Sequence, residues 1–217
     1  MKEALQLAPT LTAARLKART GDAWLDLLAV LSFALSALMA LTVAGGIWMF
    51  SQWLNDPSLI MPALIEKSGQ EAADFASSFL EMYFSMALAA GALLIIPIFS
   101  LGASAARLGA RGRAQRLSSL RLVGVTGGQT VAMSVVETLV QWAIGTTVGV
   151  IAYYATVPLW HYVNFLAQPI NTSLMRLPIG MMLAVLALLL VISLLSTAIG
   201  LQRVRISPLG VARREAN

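Results

Sequence analysis

Apolar residues gather in four long runs along the chain, at about residues 24–50, 80–103, 131–155 and 178–201, with polar segments between them. Each run is long enough to cross a hydrocarbon layer ~30 Å thick as a helix rising ~1.5 Å per residue, the first with some tilt. The pattern predicts an all-α membrane protein with four transmembrane helices. The polar remainder divides into an N-terminal segment, 1–23, a first loop, 51–79, a central segment, 104–130, a second loop, 156–177, and a tail, 202–217. A signal peptide would have an apolar core of only ~7–15 residues followed by a small-residue cleavage site. The first run begins near Trp24 and has no such site after it, so it reads as a retained span.

Inside the central segment the apolar positions change period. Leu117, Leu120 and Val123 recur at three-residue spacing, while Arg113, Arg116 and Arg121 lie largely off that stripe. This is the pattern of a short amphipathic helix between the second and third spans. Gly124 stops it, and Thr126-Gly127-Gly128-Gln129 has the form of a capping box. There the Thr hydroxyl accepts from the backbone N–H three residues on and the Gln side chain reaches back. The third helix is therefore predicted to start at Thr126.

Composition agrees with a membrane chain. Of 217 residues, 58% are hydrophobic and 12% charged, against ~25% charged in a soluble domain. There is no cysteine, which removes disulfides, thiolate metal sites and cysteine nucleophiles together. Charge then orients the spans. Thirteen of the fifteen basic residues fall in the N-terminal segment, the central segment and the C-terminal tail, all on one side of a four-span chain. The other side has only Lys67 and Arg176, and its first loop carries Asp56, Glu66, Glu71 and Asp74, with Glu81 at its edge. By the positive-inside bias both termini and the central segment are cytoplasmic. The net charge of +5 is thus a topology signal, and no nucleic-acid-binding signature accompanies it.

Particular residues narrow the chemistry. Trp160, His161, Tyr162 and Phe165 cluster near the start of the second loop, where aromatics form an interfacial belt; the one histidine reads as part of it. Asn171-Thr172-Ser173 is a weak match to a glycosylation sequon in a short loop. Glu137 is the one acidic residue well inside a span. A carboxylate at a helix centre costs about 2.5–3.5 kcal/mol on insertion scales, so it must be paired, protonated or turned to a polar cavity. An ion pair with a nearby Arg, a switch and a substrate contact all stay open. Gly145 and Gly149 form a GxxxG that permits close helix approach. Few polar residues line the spans, which favours an amphipathic or lipid-like cargo. No G-x-x-x-x-G-K-[ST], G-x-S-x-G or H-E-x-x-H occurs, so the chain has neither a P-loop of its own nor a recognisable hydrolase motif. The arginines of the central segment have two readings: adhesion to anionic headgroups, worth about 1 kcal/mol per basic residue, or docking to a soluble partner.

The stretch RAQRLSSLRLVGVTGGQTVAMSVVETLVQWAIGTTVG, followed after the fourth span by RVRISPLGVARR, resembles the FtsX-like permeases of ABC transporters, the class that includes macrolide and lipoprotein exporters. Arg116, Leu117, Leu120, Arg121, Gly124 and Thr126 match the first part of that pattern, Glu137, Gly145 and Gly149 the second, and Ser207, Pro208 and Leu209 the last. The resemblance implies a transport subunit, an exporter in a bacterial cytoplasmic membrane, whose residues 107–124 are a coupling helix docked on a cytoplasmic ABC ATPase dimer. Leu117 and Leu120 would be its buried contacts, with Arg113, Arg116 and Arg121 setting orientation. ATP would be bound by that partner, and no cofactor by this chain. An ATPase-coupled signalling or scaffold subunit that moves no solute is the alternative. Relatives carry a larger domain between the first two spans, and longer ones repeat the last three spans. The chain therefore reads as one half of such a permease, or as a subunit pairing with a second permease half or another copy of itself within the membrane lipid.

Overall fold

The structure, a computed structural model, describes residues 21–121, 127–166 and 168–206, with the helix path alone described for residues 21–23, 62–65, 67–73, 102, 105–121, 127–131 and 198–206. It contains four long helices: α1 (Gly21–Asn55), α2 (Pro62–Arg121), α3 (Gly127–Thr156) and α4 (Ile179–Ile206). Each holds a stretch long and apolar enough to cross a membrane, namely Trp24–Asn55, Asp74–Leu101, Ala132–Tyr162 and Ile179–Thr197. The expected all-α fold with four spans is what the chain adopts.

Helix ends differ from the sequence expectation most at the two ends of α2. The first loop, expected over 51–79, shrinks to a short connection. Helix α1 runs on to Asn55, a single 3-10 turn spans Pro57–Leu59, and α2 begins at Pro62. The Asp56 side chain caps that turn by accepting from the Ser58 N–H at 3.1 Å, and Pro57 and Pro62 sit where a missing N–H costs nothing. The Ala- and Glu-rich residues after Pro62 are good helix formers, so a segment of low hydropathy still extends the spanning helix. At its other end α2 continues through Pro97 to Arg121 as one helix of 60 residues, about 90 Å long. The amphipathic segment is therefore an extension of the second span's helix. Gly124 and Thr126 lie outside the described residues, and α3 starts at Gly127.

Contacts fix an alternating up-and-down bundle. Positions 145 and 149 of α3 meet residues 30–38 of α1 in ascending order, so these two helices run parallel. Gly91 of α2 lies against Val43 and Ile47, whereas Ile98 packs with Ala37, so α2 is antiparallel to α1. Ala37, Ile98 and Leu189 form a small core shared by α1, α2 and α4. Helix α1 buries the largest share of its span, while α2 and α4 bury the least. Large apolar side chains such as Leu93, Ile96, Ile151, Leu183 and Leu195 stand exposed on the bundle. A soluble protein does not display such a surface, whereas in lipid it is the outer wall.

The ends of the bundle differ. One, here the basic end, gathers the start of α1, the end of α2, the start of α3 and the end of α4, with Arg107 to Arg121, Arg203 and Arg205 on its helices. The opposite, hairpin end is closed by a core of Leu41, Met49, Trp53, Ile60, Leu80, Tyr153, Val157, Ile170, Met175 and Leu177. A two-stranded hairpin, β1 (Asn164–Phe165) and β2 (Gln168–Pro169), follows a second 3-10 turn, Val157–Tyr162. Its Phe165 ring stacks on Trp53 at 5.3 Å and meets Phe50 and Tyr83 edge to face at 5.5 and 5.1 Å. The loop thereby plugs the gap between α1 and α2.

Candidate functional site

Three groups of residues organise the bundle. The first is the face between α1 and α3. A Cβ added at Gly145 would stand 2.5 Å from Phe33 Cβ and 2.7 Å from the Val30 carbonyl oxygen. One added at Gly149 would stand 2.6 Å from both the Ala34 carbonyl oxygen and Ala37 Cβ. Much of this contact is with backbone, which cannot swing aside, so glycine is required at both positions for the two helices to approach this closely. Further along, Gly45 of α1 leaves room for Tyr153, whose hydroxyl donates to the Met175 carbonyl oxygen in the second loop. Gln52 donates to the neighbouring Leu174 carbonyl oxygen at 3.2 Å. The α1–α3 pair is thus held at several levels and bolted to the loop above it.

The second group lies toward the basic end. Gln141 of α3, buried, donates through Nε2 to the Asp26 carboxylate of α1 at 2.9 Å. Glu137 stands one turn earlier on α3, half-buried and engaged in an interaction of its own. Buried hydroxyls continue the polar strip: Ser134 and Thr138 on α3, Ser193 and Thr197 on α4. Thr138 and Thr197 approach to 3.4 Å, and Ser196 donates to the Ala103 carbonyl oxygen of α2 at 3.3 Å. These polar groups are therefore turned into the bundle, in keeping with the cost of a lipid-facing polar atom.

The third group is the arginine-rich end of α2. Arg113, Arg116, Leu117, Leu120 and Arg121 all fall on its helix path. Gly124 and Thr126 lie outside the described residues, as do Ser207, Pro208 and Leu209 of the tail. At the far end of the molecule His161 is exposed with its ring 6.3 Å from that of Tyr162, and Asn171 accepts from both the N–H and the hydroxyl of Ser173 in a local turn. Among the described residues no cluster of His, Cys, Asp or Glu could hold a metal ion.

Sequence reasoning singled out Glu137, Gly145 and Gly149. It missed the Asp26–Gln141 contact, the hydroxyls between α3 and α4, and the Tyr153–Met175 bond. A usable signal was present: Ser134 and Thr138, and Ser193 and Thr197, are each spaced four apart, which puts each pair on one helix face.

Four apolar helices with inward polar groups define a multi-pass membrane protein. Its sequence matches the FtsX-like permease C-terminal family over residues 88–209, more than half of the chain. The protein belongs to the FtsX-like permease family, and it is a membrane permease component of an ABC-type system, a kind of system that works with a cytoplasmic ABC ATPase. No curated protein and no solved structure shows a significant match to the chain.

Proposed function

We propose that this chain is the transport subunit of an ABC exporter, driven by a separate ATPase dimer that docks on residues 104–130 from the cytoplasm. The observation that carries this reading is the continuity of α2 from Pro62 through the membrane to Arg121. A helix is stiff along its axis, so force applied to the arginine-bearing end reaches the span and the hairpin end without an intervening loop. Leu117 and Leu120 supply the apolar contact with the ATPase cleft, and Arg113, Arg116 and Arg121 set its orientation. Gly124 and Thr126 separate this rod from α3, so the two arms can be driven as a pair. The ATP belongs to the partner subunit, both termini are cytoplasmic, and a second permease half or a second copy completes the assembly.

The test is co-purification of the chain with a candidate ABC ATPase, wild type against Leu120→Asp. Loss of the ATPase and of its stimulated hydrolysis from a variant that still elutes as a folded species supports docking at this segment. Retention of the ATPase by Leu120→Asp, or no complex with wild type, removes the coupling role and leaves the arginines as a lipid-facing collar.

A further inference from the structure

Helix α2 gains a second partner along its length. On the hairpin side Gly91 is pressed against α1, where an added Cβ would stand 2.8 Å from Ile47 Cδ1, and Tyr83 meets at 5.1 Å the Phe165 ring that stacks on Trp53 of α1. On the basic side Ser196 of α4 donates to the Ala103 carbonyl oxygen at 3.3 Å. Between the two stands Ile98, 6% exposed, which packs with Ala37 of α1 and Leu189 of α4 together. Directly before it is Pro97, in the interior of the helix. A proline there has no N–H to give the carbonyl four residues earlier, here that of Leu93, and its ring presses on that carbonyl. The side chains of Leu93 and Ile96 are 73% and 72% exposed and Pro97 is exposed as well, so this interrupted turn lies on the lipid side of the helix.

We propose that α2 is jointed at Pro97: its basic half and α4 swing as one arm over Ile98, while its hairpin half stays with α1. Sharp bends in helices occur where a proline interrupts the hydrogen-bond ladder, and a hinge is a few residues that take up the change in backbone angle. The packing on either side supplies the two bodies that such a hinge needs. Above it, Gly91 and the aromatic contact of Tyr83 fasten α2 to α1. At and below it, Leu189 and Ser196 fasten α2 to α4. Ile98 touches both and so marks the pivot. Thrust along the axis still passes, because the helix continues on both sides of the proline; the joint adds freedom to move sideways. It does not depend on whether an ATPase docks on α2.

The chain contains no cysteine, so pairs of nitroxide labels can be placed on the full chain in lipid bilayers and their separations read by pulsed electron spin resonance. Asn55→Cys with Ser85→Cys, both exposed, spans α1 and the hairpin half of α2. Leu31→Cys, 52% exposed on α1, is paired with Ser118→Cys on the helix path of α2 to follow the basic half. The same Leu31→Cys with Leu195→Cys, 58% exposed, follows α4. Ser118 is about 30 Å along the helix from Pro97, so a swing of about 20°, the size of a sharp helix kink, moves it by about 10 Å. The Leu31–Ser118 distance distribution is expected to be about twofold or more broader than the Asn55–Ser85 distribution. Pro97→Ala restores the missing N–H and is expected to narrow both the Leu31–Ser118 and the Leu31–Leu195 distributions. Unchanged widths in Pro97→Ala overturn the proposal, as does a shifted mean without narrowing, which marks a fixed bend. Narrowing at Ser118 with none at Leu195 overturns the common arm. Should Pro97→Ala fail to elute as a folded species, Pro97→Leu restores the same N–H and gives the second reading.

Discussion

Gly149 of α3 and Ala37 of α1 meet so closely that a methyl group on the glycine would lie 2.6 Å from that of the alanine, and as near to the carbonyl oxygen of Ala34. The backbones of the two helices are thus in effective contact along this stretch.

Gly149→Ala is expected to destabilise the folded protein by about 1–3 kcal/mol, the usual cost of overpacking, because α1 and α3 must part to admit the new atom. Gly46→Ala is the internal control. Nothing lies within 4 Å of a Cβ at that position, and replacing glycine in a helix interior gains up to about 1 kcal/mol. Thermal unfolding in one detergent should move the two variants in opposite directions. A Gly149→Ala protein as stable as wild type would show that the close approach is not needed.

Asp26 and Gln141 tie the basic ends of the same helix pair. In membrane proteins such contacts have measured coupling of about 0.6 kcal/mol on average and at most about 1.7. Asp26 has a further interaction, so the single variants will not isolate the bond. A double-mutant cycle of Asp26→Asn and Gln141→Leu should return a coupling of about 1 kcal/mol, and zero coupling would remove the tie from the account.

Tyr153 joins α3 to the second loop through the Met175 carbonyl oxygen. Tyr153→Phe keeps the ring, removes the donor and orphans a buried acceptor, at an expected cost of about 1–3 kcal/mol. Because Arg176 follows directly and is exposed, loosening of this loop should speed trypsin cleavage there. Unchanged cleavage in the variant would mean that the aromatic packing of Phe165 holds the loop without help.

The same protease reads the orientation. With both termini cytoplasmic, trypsin added to intact cells cuts after Arg176 and spares the Arg107–Arg121 region, while inverted vesicles give the reverse. Cleavage among the central arginines in intact cells would invert the proposed topology and remove the ATPase from reach.

Much of this protein is written in one dimension. Twenty or so apolar residues in a row must become a helix in lipid, because no water is there to satisfy the backbone otherwise; four such runs therefore dictate four spans. The motifs around Arg116–Arg121 and Glu137–Gly149 likewise point to the permease family, since they are local in sequence.

Pairings across the chain are another matter. Which helix Gly145 and Gly149 would face depends on the rotation of α3 about its axis, and the meeting of Asp26 with Gln141, 115 positions apart, depends on which helices are neighbours. The reach of α2 was concealed for a different reason. Its first turns and its arginine-rich end are too polar to register as a span, yet a helix once nucleated adds a hydrogen bond per residue wherever good helix formers follow. Hydropathy by itself thus determined what lies in the membrane, whereas the contacts between helices decided which faces meet closely, because those contacts join residues far apart in the chain.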